Sequence, residues 1–146
     1  MRDIKDSKSC SLRIGYDGKV HKRYRGPLAR KRFENEVAVL RYLEQKGCPF
    51  VPRLLDVDPD SLYIVTTNSG TRADKISEER ARAIFEELEN DYGVRHLDPY
   101  ARNVTYNPRI GRFCLIDFEF ASILETGVSL TPEEAEAAYQ EMKRNQ

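Results

Sequence analysis

A hairpin with polar, chemistry-bearing residues at both ends constrains this chain more than any other feature. Two apolar runs flank the turn Asn107-Pro108-Arg109-Ile110-Gly111 and predict two antiparallel strands. His96, Asp98 and Asn103 precede the first strand. The second, Phe113 to Ile116, delivers Asp117, Phe118 and Glu119. Closing the hairpin carries Asp117 back beside Asp98 and Asn103. That grouping suits phosphoryl transfer: Asp98 would orient an attacking hydroxyl and accept its proton, while Asn103 and Asp117 would offer hard oxygen ligands to Mg2+ on nucleotide phosphates. Taken singly, Asp98-Pro99 reads as an ordinary turn and Asp117 as a strand-end carboxylate. The joint spacing carries the chemistry.

The rest of the chain supplies a frame for it. Residues 1–8 give little periodic signal. Ser9 to Gly15 and Lys19 to Arg25 predict strands joined by Tyr16-Asp17-Gly18. Val20, Lys22 and Tyr24 share one face of the second strand, so the Lys22 ammonium must reach solvent or meet an anion. Gly26-Pro27 opens a helix to about Lys46, closed by Gly47, with Phe33, Val37, Leu40 and Leu43 on its buried face. Glu36 borders that face, which makes it either the partner of Lys22 or a surface carboxylate. Arg30-Lys31-Arg32 oppose the helix dipole and call for a compensating acidic neighbour or a functional reason. Arg53 to Val57 and Ser61 to Thr67 predict two more strands about the turn Asp58-Pro59-Asp60, the second of them central. Ser77 caps a second helix with Glu78 and Glu79 in its first turn, a stripe of Ala81, Ile84, Phe85, Leu88 and Tyr92, and a stop at Gly93. Thr131-Pro132-Glu133-Glu134 begin a last helix to about Lys143, whose thin stripe (Ala135, Ala138, Tyr139, Met142) packs lightly or meets a partner.

At 146 residues the chain predicts one domain, and 40% hydrophobic with 33% charged residues is ordinary for a globular protein. No apolar run approaches the roughly 20 residues of a membrane span, and the N-terminus lacks a signal-peptide core, so the expected location is cytoplasmic. Cys10, Cys48 and Cys114 are odd in number and lack metal-ligand spacing, which predicts reduced thiols. Residues 1–32 carry 11 Lys/Arg against 3 Asp, and the remainder 13 against 21 Asp/Glu, for a net charge of zero. The basic front end reads as a solvated face balanced by the acidic remainder, or as a surface that steers an anionic ligand or touches nucleic acid.

In their order along the chain these markers resemble the protein-kinase-like superfamily, over about residues 9 to 122. The resemblance implies an α+β fold and a single minimal kinase-like domain over 1–146. Its parts would be a small antiparallel N-lobe sheet with helix C (about 1–67), a hinge (about 67–70), and a much reduced helical C-lobe (about 71–146). It implies ATP and Mg2+ as cofactors. Lys22 would grip the phosphates, Glu36 would position Lys22, and Thr66 would take the gatekeeper position. Asn68 would lie in a hinge whose backbone meets the adenine. Asp98 would act as base, with Arg102 beside the transferred phosphate or acceptor and Asn103 and Asp117 on the metal. His96 would be structural. Ala101-Arg102-Asn103-Val104 is similar to the catalytic loop of tyrosine kinases, and Ile116-Asp117-Phe118-Glu119 to choline kinases and aminoglycoside phosphotransferases.

The departures are specific. No glycine-rich loop precedes Ser9, Glu119 stands where the family has glycine, Tyr100 where serine/threonine kinases carry lysine, and no peptide-docking segment follows Asp117. The function expected is therefore ATP-dependent phosphoryl transfer to a hydroxyl of an unidentified protein or small molecule. The alternative is a kinase-like module that binds nucleotide, or acts through contacts, without transfer. A protein partner or a second copy would complete the short C-lobe.

Overall fold

The computed structural model describes residues 2–6, 10–127, 133–134, 136–137 and 140–141, the first five by backbone only. It is an α+β fold that shows, among residues 2–6 and 10–127, two α-helices and three small antiparallel sheets. A five-stranded sheet has the order β1-β2-β3-β5-β4, formed by β1 (Arg2–Asp6), β2 (Cys10–Ile14), β3 (Val20–Tyr24), β4 (Leu54–Asp58) and β5 (Tyr63–Thr66). β1 falls where no periodicity was evident. Its register with β2 slips between Asp3 and Lys5, and such a slip breaks the alternation that a period-2 search detects. β5 lies between β3 and β4 as expected of its β-branched run, and Ile64, Val65 and Thr66 are buried.

Helix α1 (Ala29–Gln45) connects β3 to β4 and buries Phe33, Val37, Leu40 and Leu43 as its spacing predicts. It also buries Arg32, Asn35 and Glu36, three polar residues on one stripe at helical spacing. Arg32, the last residue of the basic run that opposes the helix dipole, is enclosed. The helix enters through Leu28 in the left-handed region (φ 53°) without a side-chain cap, and no acidic residue stands in its first turn.

Beyond β5, β6 (Thr71–Arg72) pairs with β8 (Val104–Asn107), which pairs with β9 (Arg112–Leu115) to form the expected hairpin. Helix α2 (Glu78–Tyr92) is capped by Ser77, whose Oγ accepts the Arg80 N–H at 3.2 Å, and ends at Gly93 with φ 70°. β7 (Val94–Arg95) pairs with β10 (Ser122–Ile123). This short ladder holds together the chain just before His96 and the chain just after Glu119. Leu88, Val94, Val104, Leu115, Phe118 and Ala121 are buried with the apolar face of α1 in one core.

Positions 133–134, 136–137 and 140–141 are helical, within the last expected helix. Thr131, Pro132, Ala135, Ala138, Tyr139 and Met142 lie outside the described residues, as do Ser7, Lys8 and Ser9. Cys10, Cys48 and Cys114 are free and buried. No helix among the described residues is long and apolar enough to cross a membrane.

Candidate functional site

Lys22 lies on β3, in register with Ile64 of β5, so its side chain leaves the sheet on the face covered by α1. It is buried, and it meets anions rather than solvent. Its Nζ lies 2.8 Å from Glu36 Oε1, 2.9 Å from Glu119 Oε1 and 3.6 Å from Asp117 Oδ1. Glu36 also accepts the Tyr24 hydroxyl at Oε1 and the Phe118 backbone N–H at Oε2, the latter at 2.8 Å. Glu36 therefore joins three elements: its own helix, β3 and the segment after the hairpin. It is not a surface carboxylate.

Glu119 is bracketed by two cations, Lys22 on Oε1 and Arg32 on Oε2 at 3.3 Å. Asn35 completes the seating of this segment, donating from Nδ2 to the carbonyls of Glu119 (2.8 Å) and Ala121 (2.9 Å). Three carboxylates against two cations leave an excess of negative charge in a desolvated place. Burial alone would push the Lys22 pKa down, but Glu119 and Glu36 outweigh it and hold the ammonium well above its ordinary value. Burial raises Glu119, and Asp117 and Glu36 add to the rise against the pull of Lys22 and Arg32.

The second group is built on the loop before β8. Asp98 accepts from Arg102 Nη2 at Oδ1 and from Asn103 Nδ2 at Oδ2 (2.8 Å); Asn103 Nδ2 also reaches the Asp98 carbonyl at 3.0 Å. These bonds orient the amide, so the atom Asn103 can offer a cation is Oδ1. The Ile116 N–H donates to the Asn103 carbonyl at 3.0 Å, which stitches this loop to the residue before Asp117.

His96 ties the two groups together. Its Nε2 donates to the Ile116 carbonyl at 2.8 Å, and its Nδ1 accepts the Asp98 N–H at 3.2 Å. That pattern requires a neutral ring protonated at Nε2. Burial lowers its pKa below the ordinary value, in agreement. The ring packs between Phe85 and Phe118 with centroids 5.1 Å from each. Asp117 and Asp98 both act electrostatically on it, so both groups stand around one imidazole.

Asp117 and Leu97 have φ of 67° and 70°, left-handed values that are uncommon for residues other than glycine. Both flank the site, where such strain is retained when the surroundings impose it. Asp117 is the most accessible of the three clustered carboxylates, its side chain 37% exposed against 5% for Glu36 and 3% for Glu119.

The structure thus brings Lys22, Glu36 and Asp117 into one ion-pair cluster and Asp98, Arg102 and Asn103 into one hydrogen-bonded loop. Thr66 shares the inner face of the sheet with Lys22, its register partner being Val20, and its hydroxyl donates to the Thr67 carbonyl at 3.1 Å. Asn68 Oδ1 accepts the Gly70 N–H at 2.9 Å and shapes that turn, with no bond to the charged cluster. The sequence does not single out Tyr24, Arg32 and Asn35 as site residues, and it marks Glu119 only as a carboxylate standing where the family has glycine. The signal for Arg32 and Asn35 was there: they stand four and one residues before Glu36, on the stripe that Glu36 borders.

The clustered ligand atoms of Glu36, Asp117 and Glu119 lie within 4.8 Å of one another, the one such group among the described residues. As hard oxygens they fit Mg2+. Glu36 and Glu119 are bound to Lys22, Arg32, Tyr24 and Phe118, so the carboxylate best placed to accept a solvated cation is Asp117. No known protein family and no curated protein matches the chain.

Proposed function

We propose that this chain is a minimal kinase-like Mg-ATP-dependent phosphotransferase that modifies a hydroxyl. One observation carries the reading. A buried lysine on the third strand of an antiparallel sheet is paired with a glutamate of the following helix, and both converge on Asp117 at the end of the hairpin. Isolated ion pairs are common, but a buried lysine with an acceptor on each of two remote segments needs a reason, because desolvating it is costly. The reason offered is that its ammonium and Asp117 face the same phosphate groups.

Mg-ATP, when bound, would supply the transferable phosphoryl group and the cation that offsets its charge. Lys22 would hold phosphate oxygens, and Glu36 would keep Lys22 aimed. Asp117 and Asn103 Oδ1 would hold the cation. Asp98 would orient the acceptor hydroxyl and take its proton, with Arg102, bonded to its Oδ1, beside the transferred phosphate or acceptor. Thr66 would line the inner face beside the nucleotide and Asn68 would shape the loop beyond it.

A second reading has its own observation. Both oxygens of Asp98 are engaged, one by Arg102 and one by Asn103, and Lys22 already has three carboxylates around it. Such a site could bind nucleotide without transferring phosphate. Thermal melting with ATP, with and without Mg2+, on the wild type and Asp117→Asn separates the readings. Ligand at 100-fold its Kd adds about 2.7 kcal/mol, or roughly 5–10 °C in a domain of this size. The phosphotransferase reading expects a Mg2+-dependent shift that Asp117→Asn abolishes, together with ATP turnover once an acceptor hydroxyl is supplied. A shift indifferent to Mg2+ supports a non-catalytic nucleotide-binding module, and no shift at saturating ATP sinks both nucleotide-binding readings and leaves a module that acts through contacts.

A further inference from the structure

The least expected charged group in the protein is Arg32. Its side chain is fully buried, yet a guanidinium keeps its charge at any ordinary pH. Nε donates to the Pro27 carbonyl at 2.7 Å and Nη2 to the Arg25 carbonyl, both in the connection that leads into α1. Nη1 meets Glu119 Oε2 at 3.3 Å. The other oxygen of Glu119 faces Lys22. Enclosed behind Glu119, Arg32 cannot touch a ligand that reaches Lys22 from solvent. It reaches the Lys22 ammonium through that carboxylate.

We infer that Arg32 is a positioning residue for Lys22: anchored on the carbonyls of Arg25 and Pro27, it fixes Glu119 so that the ammonium has two carboxylates within 3 Å, Glu36 (2.8 Å) and Glu119 (2.9 Å), rather than one. The charge balance explains why Glu119 needs such an anchor. Glu119 shares its surroundings with Glu36 and Asp117, and like charges so close repel unless each is compensated. With Arg32 on its far oxygen, Glu119 is held in place. Without it, Glu119 would turn away, and Lys22 would keep Glu36 and the more distant Asp117. The anchoring carbonyls belong to the segment entering α1, so the helix that carries Glu36 and the carboxylate of Glu119 are fixed to the same stretch of backbone. This assigns a role to the glutamate at 119. The inference rests on the phosphotransferase reading only for what Lys22 holds.

The test therefore has one arm without nucleotide. The Lys22 ammonium is followed by nitrogen–proton correlation NMR, assigned by its loss in Lys22→Arg, and its proton exchange with water is timed in folded protein. Glu119→Gln and Arg32→Gln are each expected to speed that exchange about ten-fold, because a charge-assisted bond to the ammonium is lost or loosened. Arg32→Lys keeps the charge but not the planar fork, and is expected to speed it about three-fold. In the second arm, the Kd for Mg-ATP should rise about ten-fold in either Gln variant and no further in the double variant, since the two residues act as one unit. Exchange at the wild-type rate in a folded Arg32→Gln overturns the inference. Should that variant not fold, exchange at the wild-type rate in Arg32→Lys overturns it instead. If the wild type binds no Mg-ATP, the phosphotransferase reading falls, and the exchange arm still decides the role of Arg32.

Discussion

Asp117 illustrates how a single residue can be set against the stability of its own fold. Its backbone is left-handed, a conformation that costs most side chains about 1–2 kcal/mol and glycine nearly nothing. Its carboxylate is what tips the cluster to an excess of negative charge, and it is the most distant of the three from Lys22. Asp117→Gly removes both penalties, and the expected gain is about 1 kcal/mol, diminished by the greater freedom of glycine in the unfolded chain. Asp117→Asn keeps a residue that tolerates the left-handed region and should leave stability within about 0.5 kcal/mol of wild type. Urea titration of the three proteins is the check; loss of more than 1 kcal/mol in both variants would show that Asp117 is held for structure rather than for a ligand. His96 offers a second test at this scale. Burial keeps its folded-state pKa below the ordinary imidazole value of 6.5. As pH falls through 6.5 the unfolded chain gains a proton that the folded chain refuses, so this residue contributes stability above 6.5 that is lost on acidification. Relative to wild type, His96→Gln should unfold with a shallower loss of stability between pH 7.5 and 5.5. Parallel pH profiles for the two proteins would mean that the ring is protonated without penalty.

At the scale of elements, what could be read from the sequence tracks the length and regularity of each signal. The helices α1 and α2, the hairpin β8–β9 and the strands about Tyr16-Asp17-Gly18 each carry a full period of apolar residues with stop or turn residues at their ends, and each is present. β6, β7 and β10 have two residues each, too few to show any period; long-range pairing alone defines them. The candidate site divides in the same way. Lys22, Glu36, Asp98, Asn103 and Asp117 were legible because each stands at a marked place on a regular element or turn. Arg32 and Asn35 share the stripe that Glu36 borders, a weaker signal, because polar residues on a charged helix look solvated until the segment that covers them is placed. Gly70 shows how closely the short elements are fitted. It has φ 97°, and a Cβ there would lie 1.9 Å from the Tyr106 carbonyl oxygen, a backbone atom with little room to yield. Gly70→Ala should therefore displace β6 from β8, with a loss of at least about 2 kcal/mol. The same substitution at Gly47, where a Cβ meets nothing within 4 Å, should cost only the left-handed strain, about 1 kcal/mol. Equal losses at the two positions would mean that the close approach to Tyr106 is relieved by a backbone shift.

For the whole molecule, the decisive junction is where α1 meets residues 117–121. The sheet and α1 come from the first part of the chain, the hairpin and the site loop from the second, and the bonds across this junction are few and buried. Glu36 holds the Phe118 N–H, Arg32 holds the Glu119 side chain, and Asn35 holds two carbonyls. Asn35 is the one of these that carries no charge, so its removal tests the junction without upsetting the ion-pair cluster. Asn35→Ala leaves the carbonyls of Glu119 and Ala121 without their donor in a place where both residues are buried. Each orphaned acceptor costs about 1–3 kcal/mol, and partial entry of water should bring the total to about 3 kcal/mol. The loss should not be uniform. Amides of Phe118 and Ala121 should exchange with solvent through a local opening of the junction, whereas amides of β3 and β5 should lose only the protection that the global destabilisation removes. Hydrogen exchange on the wild type and Asn35→Ala, resolved residue by residue, is the measurement. If Phe118 and the β3 amides lose protection by the same factor, the junction opens only when the whole protein unfolds, and the two parts of the site are held together by the apolar core around Leu40, Val104 and Phe118 instead.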